Sequence, residues 1–307
     1  MAELESVEYP VIWLQAAGCT GCSVSVLNSV SPTIKNLLVD EILPGKHIAM
    51  CFHPTVMAGS GEAVIGELER VRKGGRGSYV LVVEGAIPLA QGGSYCLLGE
   101  KGGRGVPIFR WVESLGRDAL LVIALGTCAS FGGIPAAAGN PTNSVGVKDF
   151  FASRQITTPL INLPGCPPHP DWFIGTLASV LLFGLPKSEE LDILGRPKAF
   201  YGGLVHENCS RRAYFDEGKF AKRLSDEGCL YELGCKGPVT HADCPTRLWN
   251  HGTNWCVGGG GLCIGCVEPT FPDLLSPFYE RIADEDMPGI GESQVVKDEE
   301  RWSPSEP

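Results

Sequence analysis

The chain has 307 residues, of which 44% are hydrophobic, and a formal net charge of −10. This length can bury a substantial core in one large domain or two smaller ones, and the acidic balance argues against nucleic acid as a partner. The 13 cysteines are odd in number and include C-x-x-C pairs, so they indicate metal or cluster ligands rather than a disulfide framework.

The first predicted element is a short apolar strand at Val11–Leu14, which runs directly into a loop that carries Cys19 and Cys22. Apolar residues then recur at helical spacing through Ser23–Val39, so we predict a strand–loop–helix unit. Open α/β sheets place their ligand sites at the carboxyl ends of strands, which is where these two thiols lie.

Four more strands are predicted at 47–52, 79–83, 120–125 and 160–163. A helix is predicted at 61–72, and an apolar helix at 172–185 can be capped by Asp171. The alternation of strands and helices predicts an α/β fold with a mostly parallel, doubly wound sheet. The glycine-rich runs at 74–77 and 102–105 do not follow a strand and open a helix, so we reject a dinucleotide site.

Two further cysteines follow predicted strands in the same way. Loops at one edge of the sheet can therefore bring four thiolates together, namely Cys19, Cys22, Cys128 and Cys166. A site of four thiolates suits zinc or a cubane iron–sulfur cluster. Cys51 ends an apolar strand and Cys96 lies in a glycine-rich loop, so we interpret both as structural thiols.

A polar connection at Leu185–Lys198 marks a change in the character of the sequence. We predict one domain at 1–188, a second at 189–281, and an acidic C-terminal tail at 282–307. The second domain has many glycines and few strand patterns, so metal binding is expected to supply part of its folding free energy.

The remaining candidate ligands divide by their order in the chain. The first group has one imidazole and three thiols: His206, Cys209, Cys229 and Cys235. A histidine ligand is expected to raise the reduction potential of a bound cluster, and such a cluster is expected to lie near the surface. The second group suits a [3Fe–4S] cluster: Cys244, Cys263 and Cys266. Cys256 lies inside the second group and can supply a fourth thiolate. The histidines at 53, 169, 241 and 251 are interpreted as ordinary core or surface residues.

The chain resembles one family, the small, electron-transfer subunits of [NiFe] hydrogenases. The resemblance runs from about Val11 to Arg281. It rests on seven motifs in a fixed order: WLQAAGCTGCS (13–23), EGAIP (84–88), GTCASFGG (126–133), PGCPPHPDW (164–172), HENC (206–209), CPTRLWN (244–250) and CIGCVEPTFPD (263–273).

This resemblance implies a flavodoxin-like N-terminal domain followed by an irregular domain of loops and short helices. It implies a proximal [4Fe–4S] cluster on Cys19, Cys22, Cys128 and Cys166. It implies a distal [4Fe–4S] cluster on His206, Cys209, Cys229 and Cys235. It implies a medial [3Fe–4S] cluster on Cys244, Cys263 and Cys266.

The resemblance also implies partners. H2 is split at a Ni–Fe centre on a separate large subunit, so no residue of this chain is expected to be catalytic. The two chains would form an obligate heterodimer, or a higher oligomer built from it. Electrons would leave from the distal cluster to a redox acceptor protein or a quinone-linked partner.

The sequence departs from some relatives at three positions. Oxygen-tolerant members carry two extra cysteines at the proximal cluster, where this chain has Gly21 and Gly133, so an ordinary cubane is expected. Many members have proline where this chain has Cys256, whose thiol would convert the medial site to [4Fe–4S] if it coordinates iron.

The location in the cell is inferred from what the sequence lacks. We see no secretory signal, and the longest apolar stretch, Trp172–Leu185, is too short to span a bilayer. We therefore expect a cytoplasmic protein that reaches the membrane only through a partner. Alternative interpretations are an H2 sensor, a subunit of another redox complex, and a zinc-binding scaffold.

Overall fold

A computed structural model describes residues 7–29, 33, 36 and 46–283. Its centre is a five-stranded sheet made of β1 (Val7–Gln15), β2 (Lys46–Phe52), β3 (Val80–Glu84), β4 (Leu121–Leu125) and β5 (Leu160–Leu163). The strand order is β2-β1-β3-β4-β5, and every neighbouring pair is parallel. This is the strand order of flavodoxin-like folds, so the predicted fold class is confirmed.

The strand sequences explain why the sheet lies at the centre. β3 reads VLVVE and β4 reads LVIAL, and all ten residues are buried. Nearly continuous apolar runs of this kind are typical of parallel strands that are covered on both faces. Alternate residues of each strand enter two separate cores, with Val82 in the first and Val83 in the second.

The two faces are covered by different elements. The first face is covered by helices α1 (Gly21–Leu27) and α6 (Pro170–Phe183) together with the C-terminal half of the chain. The second face is covered by α2 (Glu62–Lys73), α3 (Ile108–Asp118) and α5 (Val147–Ser153). The short helix α4 (Thr127–Phe131) follows β4 directly and brings Cys128 to the carboxyl edge of the sheet.

Two sequence-based expectations about helices differ from the structure. The predicted helix at 23–39 ends at Leu27 in the structure, and of residues 30–45 only 33 and 36 are described, so the rest of that prediction lies outside the described residues. Asp171 does not cap α6, because Pro170 occupies the first helical position and places His169 at the cap. The His169 ring instead accepts a hydrogen bond from the Asp171 backbone N–H at 3.1 Å.

Other elements were not anticipated from the sequence. These are α3, the hairpin Leu97–Lys101 with Arg104–Pro107, and the short antiparallel pair Ile87–Pro88 with Ser144–Val145. They surround the second face and the rim of the sheet.

In the C-terminal half, the elements within the described residues, which end at 283, are all short. They are α7 (Lys198–Tyr201), α8 (Arg212–Asp216) and α9 (Cys244–Arg247), with single 3₁₀ turns at Ser188–Glu190, Tyr231–Leu233 and Gly237–Val239. Apolar residues of both halves share the first core, so the core does not mark a boundary between them. The predicted domain limits at 188 and 281 therefore stay predictions. Most of the predicted tail, 282–307, lies beyond the described residues.

Polar contacts join the halves. The Trp172 indole of α6 donates to the Asp243 carboxylate at 2.8 Å, and the Tyr201 hydroxyl of α7 donates to the Pro164 carbonyl at 2.8 Å. Within the C-terminal half, the fully buried Arg196 donates to Asp192 at 2.7 Å and to Glu268 at 3.3 Å. Within the described part of the chain, no helix combines the length and the apolar character needed to cross a membrane.

Candidate metal centres

The first candidate site lies at the carboxyl edge of the sheet, where three loops meet. Cys19 follows β1, Cys22 lies in the first turn of α1, Cys128 lies in α4 and Cys166 follows β5. Burial raises the pKa of Cys22, and nearby charges add to the shift, including those of the other three thiols. The structure therefore places the four thiols near one another at this edge, and their ligation of one metal group stays a prediction.

Burial and the charges of neighbouring thiols oppose ionisation of Cys22, Cys128 and Cys166. The pKa of Cys128 is raised to about 11, first by burial and then by Cys166 and Cys19. The pKa of Cys166 is raised by burial and by Cys19. A set of thiols that disfavours its own negative charge is suited to bind a cationic group, because metal binding removes the protons and compensates the charge.

Glycines keep space open around these thiols. A Cβ atom added at Gly126 would lie 2.5 Å from the Cys22 Sγ atom. One added at Gly133, which has a φ of +50°, would lie within 3.1 Å of the Cys128 Sγ atom, and one at Gly21 would lie 3.1 Å from the Cys19 Sγ atom. A side chain at any of the three would crowd the sulfur atoms, which fits a site that holds a bulky inorganic group.

Glu84 contacts the first candidate site and was not predicted as a site residue from the sequence. It ends β3 and is 2% exposed, yet its carboxylate accepts hydrogen bonds from five groups. The backbone N–H groups of Cys22 and Ser23 donate to Oε1 at 3.0 and 3.1 Å. The Trp13 indole, the Gln15 amide and the Ser23 hydroxyl donate to Oε2 at 2.9, 3.3 and 2.5 Å.

This carboxylate fixes the loop that carries Cys22 to the end of the central strand, and its charge adds to the raised pKa of that thiol. The sequence did contain a signal for it, since an acidic residue at the end of an otherwise apolar buried strand requires partners. His53, which was not predicted as a ligand, lies behind this group with its Nε2 atom 3.3 Å from the Ser23 hydroxyl.

The second candidate site surrounds a cavity of about 270 Å³ in the C-terminal half, a volume that includes space open to solvent. Its lining contains the imidazole and the three thiols that the order of the chain grouped together: His206, Cys209, Cys229 and Cys235. Burial raises the pKa of Cys235, with smaller contributions from Cys209 and Cys229. The backbone N–H of Arg211 donates to the Cys209 sulfur at 3.4 Å.

The His206 ring has the character of a ligand. It is 8% exposed and packs edge-on against Phe215, with ring centroids 4.6 Å apart. Its Nε2 atom is buried and has no hydrogen-bond partner among the described residues, and burial lowers the pKa of the imidazole. A neutral imidazole with an unpaired buried nitrogen is the form that coordinates metal, so this residue fits the predicted group.

The third candidate site lies between the other two. Burial raises the pKa of Cys266, and the charges of Cys244 and Cys256 add to the shift. The pKa of Cys244 is also raised, first by burial and then by the charges of Cys263 and Cys256. Cys256 is exposed, but its charge acts on both neighbouring thiols, so the structure places it beside this group.

Neighbouring sites approach each other through their ligand candidates. The charge of Cys235 in the second site raises the pKa of Cys263 in the third, and the Lys236 N–H donates to the Cys263 carbonyl at 2.7 Å. The backbone N–H of Cys166 in the first site faces the Cys266 sulfur and lowers its pKa. The three groups therefore form a row, with the Cys244 group in the middle.

The remaining cysteines lie apart from the row. Cys51 is half-buried on β2 against the second core and donates to the Ala49 carbonyl at 3.4 Å. Cys96 is half-buried and lies 3.9 Å from the Gln15 carbonyl. Across residues 7–29 and 46–283, no three His, Cys, Asp or Glu side chains are placed so that they could bind a single metal ion.

Comparison with known proteins identifies relatives for both halves. Residues 201–279 match the family model for the C-terminal region of the NiFe/NiFeSe hydrogenase small subunit. Residues 19–180 match the model described as NADH ubiquinone oxidoreductase, 20 Kd subunit.

Two curated relatives cover most of the chain. The periplasmic [NiFeSe] hydrogenase small subunit of Desulfomicrobium baculatum is 49% identical over 279 residues, which are 88% of this chain and 86% of that protein. The periplasmic [NiFe] hydrogenase small subunit of Solidesulfovibrio fructosivorans is 40% identical over 276 residues, 88% of this chain and 81% of that one.

The fold is similar to a solved structure as well. The reduced, active form of the Ni-Fe-Se hydrogenase from Desulfomicrobium baculatum aligns with a TM-score of 0.84 at 47% identity, covering 90% of this chain and 100% of that one.

Proposed function

The chain belongs to the family of [NiFe] and [NiFeSe] hydrogenase small subunits, and from this premise we propose that its three groups of thiols hold three iron–sulfur clusters in a row. It is the electron-transfer subunit of an H2 oxidoreductase, and catalysis takes place on the large subunit with which it pairs.

The proposed ligands follow the three groups. The proximal [4Fe–4S] cluster binds Cys19, Cys22, Cys128 and Cys166. The distal [4Fe–4S] cluster binds His206, Cys209, Cys229 and Cys235. The medial cluster binds Cys244, Cys263 and Cys266. When bound, the clusters supply one-electron oxidation and reduction.

The observation that carries this proposal is the unpaired Nε2 atom of His206. A buried nitrogen without a partner among the described residues is costly, and here it belongs to a ring that lines a cavity together with three thiols. Cluster ligation would give this nitrogen a partner with the residues already present.

We further propose that Cys256 is the fourth ligand of the medial site, which makes it [4Fe–4S]. The support is the effect of its charge on Cys244 and Cys266, which requires proximity. Replacing it with proline should remove one iron per chain and produce the electron paramagnetic resonance signal of a [3Fe–4S] cluster. A C256P protein with unchanged iron content and spectrum would contradict this assignment.

The surface beside the first site is proposed to face the large subunit. Val24, Leu27 and Ile134 are 62%, 49% and 57% exposed, and they flank a site whose Cys19 is itself exposed. An obligate partner that covers these side chains would bury an interface of more than about 2,000 Å². The acceptor at the distal end is proposed to be a redox protein or a quinone-linked partner.

The location in the cell stays a prediction. The sequence suggested a cytoplasmic protein, whereas two of the relatives are named periplasmic. Fractionation of cells that express the native gene, with antibodies to this chain, tests the prediction directly.

The decisive experiment uses the chain purified together with its large subunit. Iron, acid-labile sulfide and zinc are measured, and electron paramagnetic resonance is recorded during a redox titration. We expect three clusters and no stoichiometric zinc. His206→Cys should retain the distal cluster while slowing electron exchange with an acceptor, and His206→Ala should weaken cluster binding. Stoichiometric zinc, or fewer than three clusters in fully assembled protein, would overturn the proposal.

A further inference from the structure

One buried hydroxyl group joins three of the loops that carry candidate ligands. Thr127 is the first residue of α4 and is 1% exposed. Its Oγ1 atom accepts a hydrogen bond from the Gly165 N–H at 2.9 Å and donates one to the Cys266 carbonyl. Its backbone N–H donates to the Gly165 carbonyl at 3.0 Å.

These hydrogen bonds matter because Thr127 and Gly165 each lie next to a candidate ligand in the sequence. Thr127 precedes Cys128, and Gly165 precedes Cys166, so two loops of the proximal site are joined through the threonine. Cys266 belongs to the medial site. One side chain therefore links two proximal ligand loops to a medial ligand loop across the gap between the two sites.

The chemistry of the residue suits this role. A hydroxyl group donates one hydrogen bond and accepts up to two, so Thr127 can satisfy an N–H on one loop and a carbonyl on another at the same time. A buried group of this kind has few alternative partners, since both contacts are shielded from water. The Cys166 N–H also faces the Cys266 sulfur, between the same two loops.

We propose that Thr127 is a positioning residue for electron transfer, which sets the distance and orientation between the proximal and medial clusters. This inference rests on the ligand assignment proposed above. It assigns Thr127 no bond to iron. Its function is to hold the loop of Cys166 and the loop of Cys266 at a fixed separation, which keeps the distance between the two clusters short.

The test compares Thr127→Val, which removes the hydroxyl group at nearly constant volume, with Thr127→Ser, which retains it. Ser130 provides a matched control: it lies in the same helix, is 2% exposed, and donates to the Ala124 carbonyl at 3.2 Å, away from the ligand loops. Each variant is purified with its large subunit, and iron and sulfide are measured first.

The main readout is the magnetic interaction between the proximal and medial clusters, observed by electron paramagnetic resonance in redox states where both are paramagnetic. A second readout is the rate at which the medial cluster is reduced after H2 is mixed with the oxidised protein. We expect T127V to retain all three clusters, to show a weakened interaction and to reduce the medial cluster several-fold more slowly. T127S and S130A should match the wild type in both readouts.

An unchanged interaction and rate in T127V would overturn the role of Thr127. If T127V does not assemble, Thr127→Ala serves in its place. Failure of both to assemble, with normal T127S and S130A, would also overturn it, because the hydroxyl group would then act in folding. Absence of three clusters in the wild type would instead refute the ligand assignment, so the two failures can be told apart.

Discussion

The two halves of the chain reach a folded state by different means. In the N-terminal half, buried strands and the helices on both faces enclose two hydrophobic cores, the first of which is completed by residues of the C-terminal half. In the C-terminal half, the described helices have four or five residues and paired strands are replaced by isolated bridges. The second region therefore has less regular backbone hydrogen bonding.

This difference shows where the candidate ligands contribute to stability. In the N-terminal half, the four thiols lie at the edge of the sheet, and Cys22 packs against its first core. In the C-terminal half, most of the candidate thiols pack among or against the apolar residues of that core, and Cys263 is itself a core residue. Metal binding should therefore stabilise the second half far more than the first.

The largest expected effect follows from removal of the clusters. A chelator under reducing conditions should cause backbone amides in 199–283 to exchange with solvent at rates near those of an unfolded chain. Amides of β1, β3 and β4 should keep most of their protection, because apolar burial on both faces stabilises them. Hydrogen–deuterium exchange followed by mass spectrometry measures this difference for both regions in one sample.

Equal loss of protection in both halves would break the comparison. It would mean that the shared first core, together with the Trp172–Asp243 and Tyr201–Pro164 contacts, makes the two regions one cooperative unit. The same experiment on protein with its clusters intact provides the reference rates.

The next largest effect concerns Glu84. Glu84→Ala leaves the Trp13 indole and the N–H groups of Cys22 and Ser23 without partners, and should lower the free energy of unfolding by about 3 kcal/mol or more. Glu84→Gln should cost less, because its carbonyl oxygen still accepts some of these bonds. Urea unfolding of the complex, followed by tryptophan fluorescence, compares the two; equal and small losses would show that the carboxylate does not anchor the loop.

A smaller, pH-dependent effect is expected at His169. The ring accepts from the Asp171 N–H and donates through Nε2 to the Leu248 carbonyl at 2.7 Å, and burial lowers the pKa of the imidazole below its usual 6.5. The folded protein therefore binds the proton less readily than the unfolded chain does. The stability that the neutral His169 ring contributes is fully present above pH 6.5. It is lost as the pH falls from 6.5 through the lower folded pKa.

His169→Ala tests that contribution. It removes the cap of α6 and the contact with Leu248, so it should cost about 1–2 kcal/mol at pH 7.5 and less at pH 5. Unfolding midpoints of wild type and variant across this range give the comparison. A loss that is the same at both pH values would mean that the ring acts only through packing.

The smallest effect is expected for the ion pair between Arg281 and Glu232. Both side chains are more than a third exposed, with a distance of 3.0 Å between their charged groups. Arg281→Ala should change the free energy of unfolding by less than about 1 kcal/mol, because solvent screens such pairs. A larger loss would show that the segment after Cys266 depends on this contact.

Much of the N-terminal fold could be predicted because its signals are local. Each of the five strands was expected within a few residues of its position, since continuous apolar runs identify buried parallel strands. The placement of Cys19, Cys22, Cys128 and Cys166 at strand ends then required that they meet at one edge. That part of the site followed from topology alone.

The other features depend on contacts between distant parts of the chain. Glu84 anchors a loop 62 residues earlier in the sequence, and Thr127 contacts a carbonyl 139 residues later. No local pattern announces either contact. The same is true of the C-terminal half, where grouping by order suggested the ligand sets but no periodicity described the backbone between them.

The exposure of Cys19 has a consequence for how the complex is assembled in the cell. This sulfur lies at the surface of the chain, whereas Cys263 of the middle group is enclosed by the fold. If the proposed proximal cluster is inserted before the subunits meet, a newly made chain would present its edge to dioxygen and chelators until another protein shields it. Rapid delivery to the large subunit is the biosynthetic demand that this exposed thiol would impose.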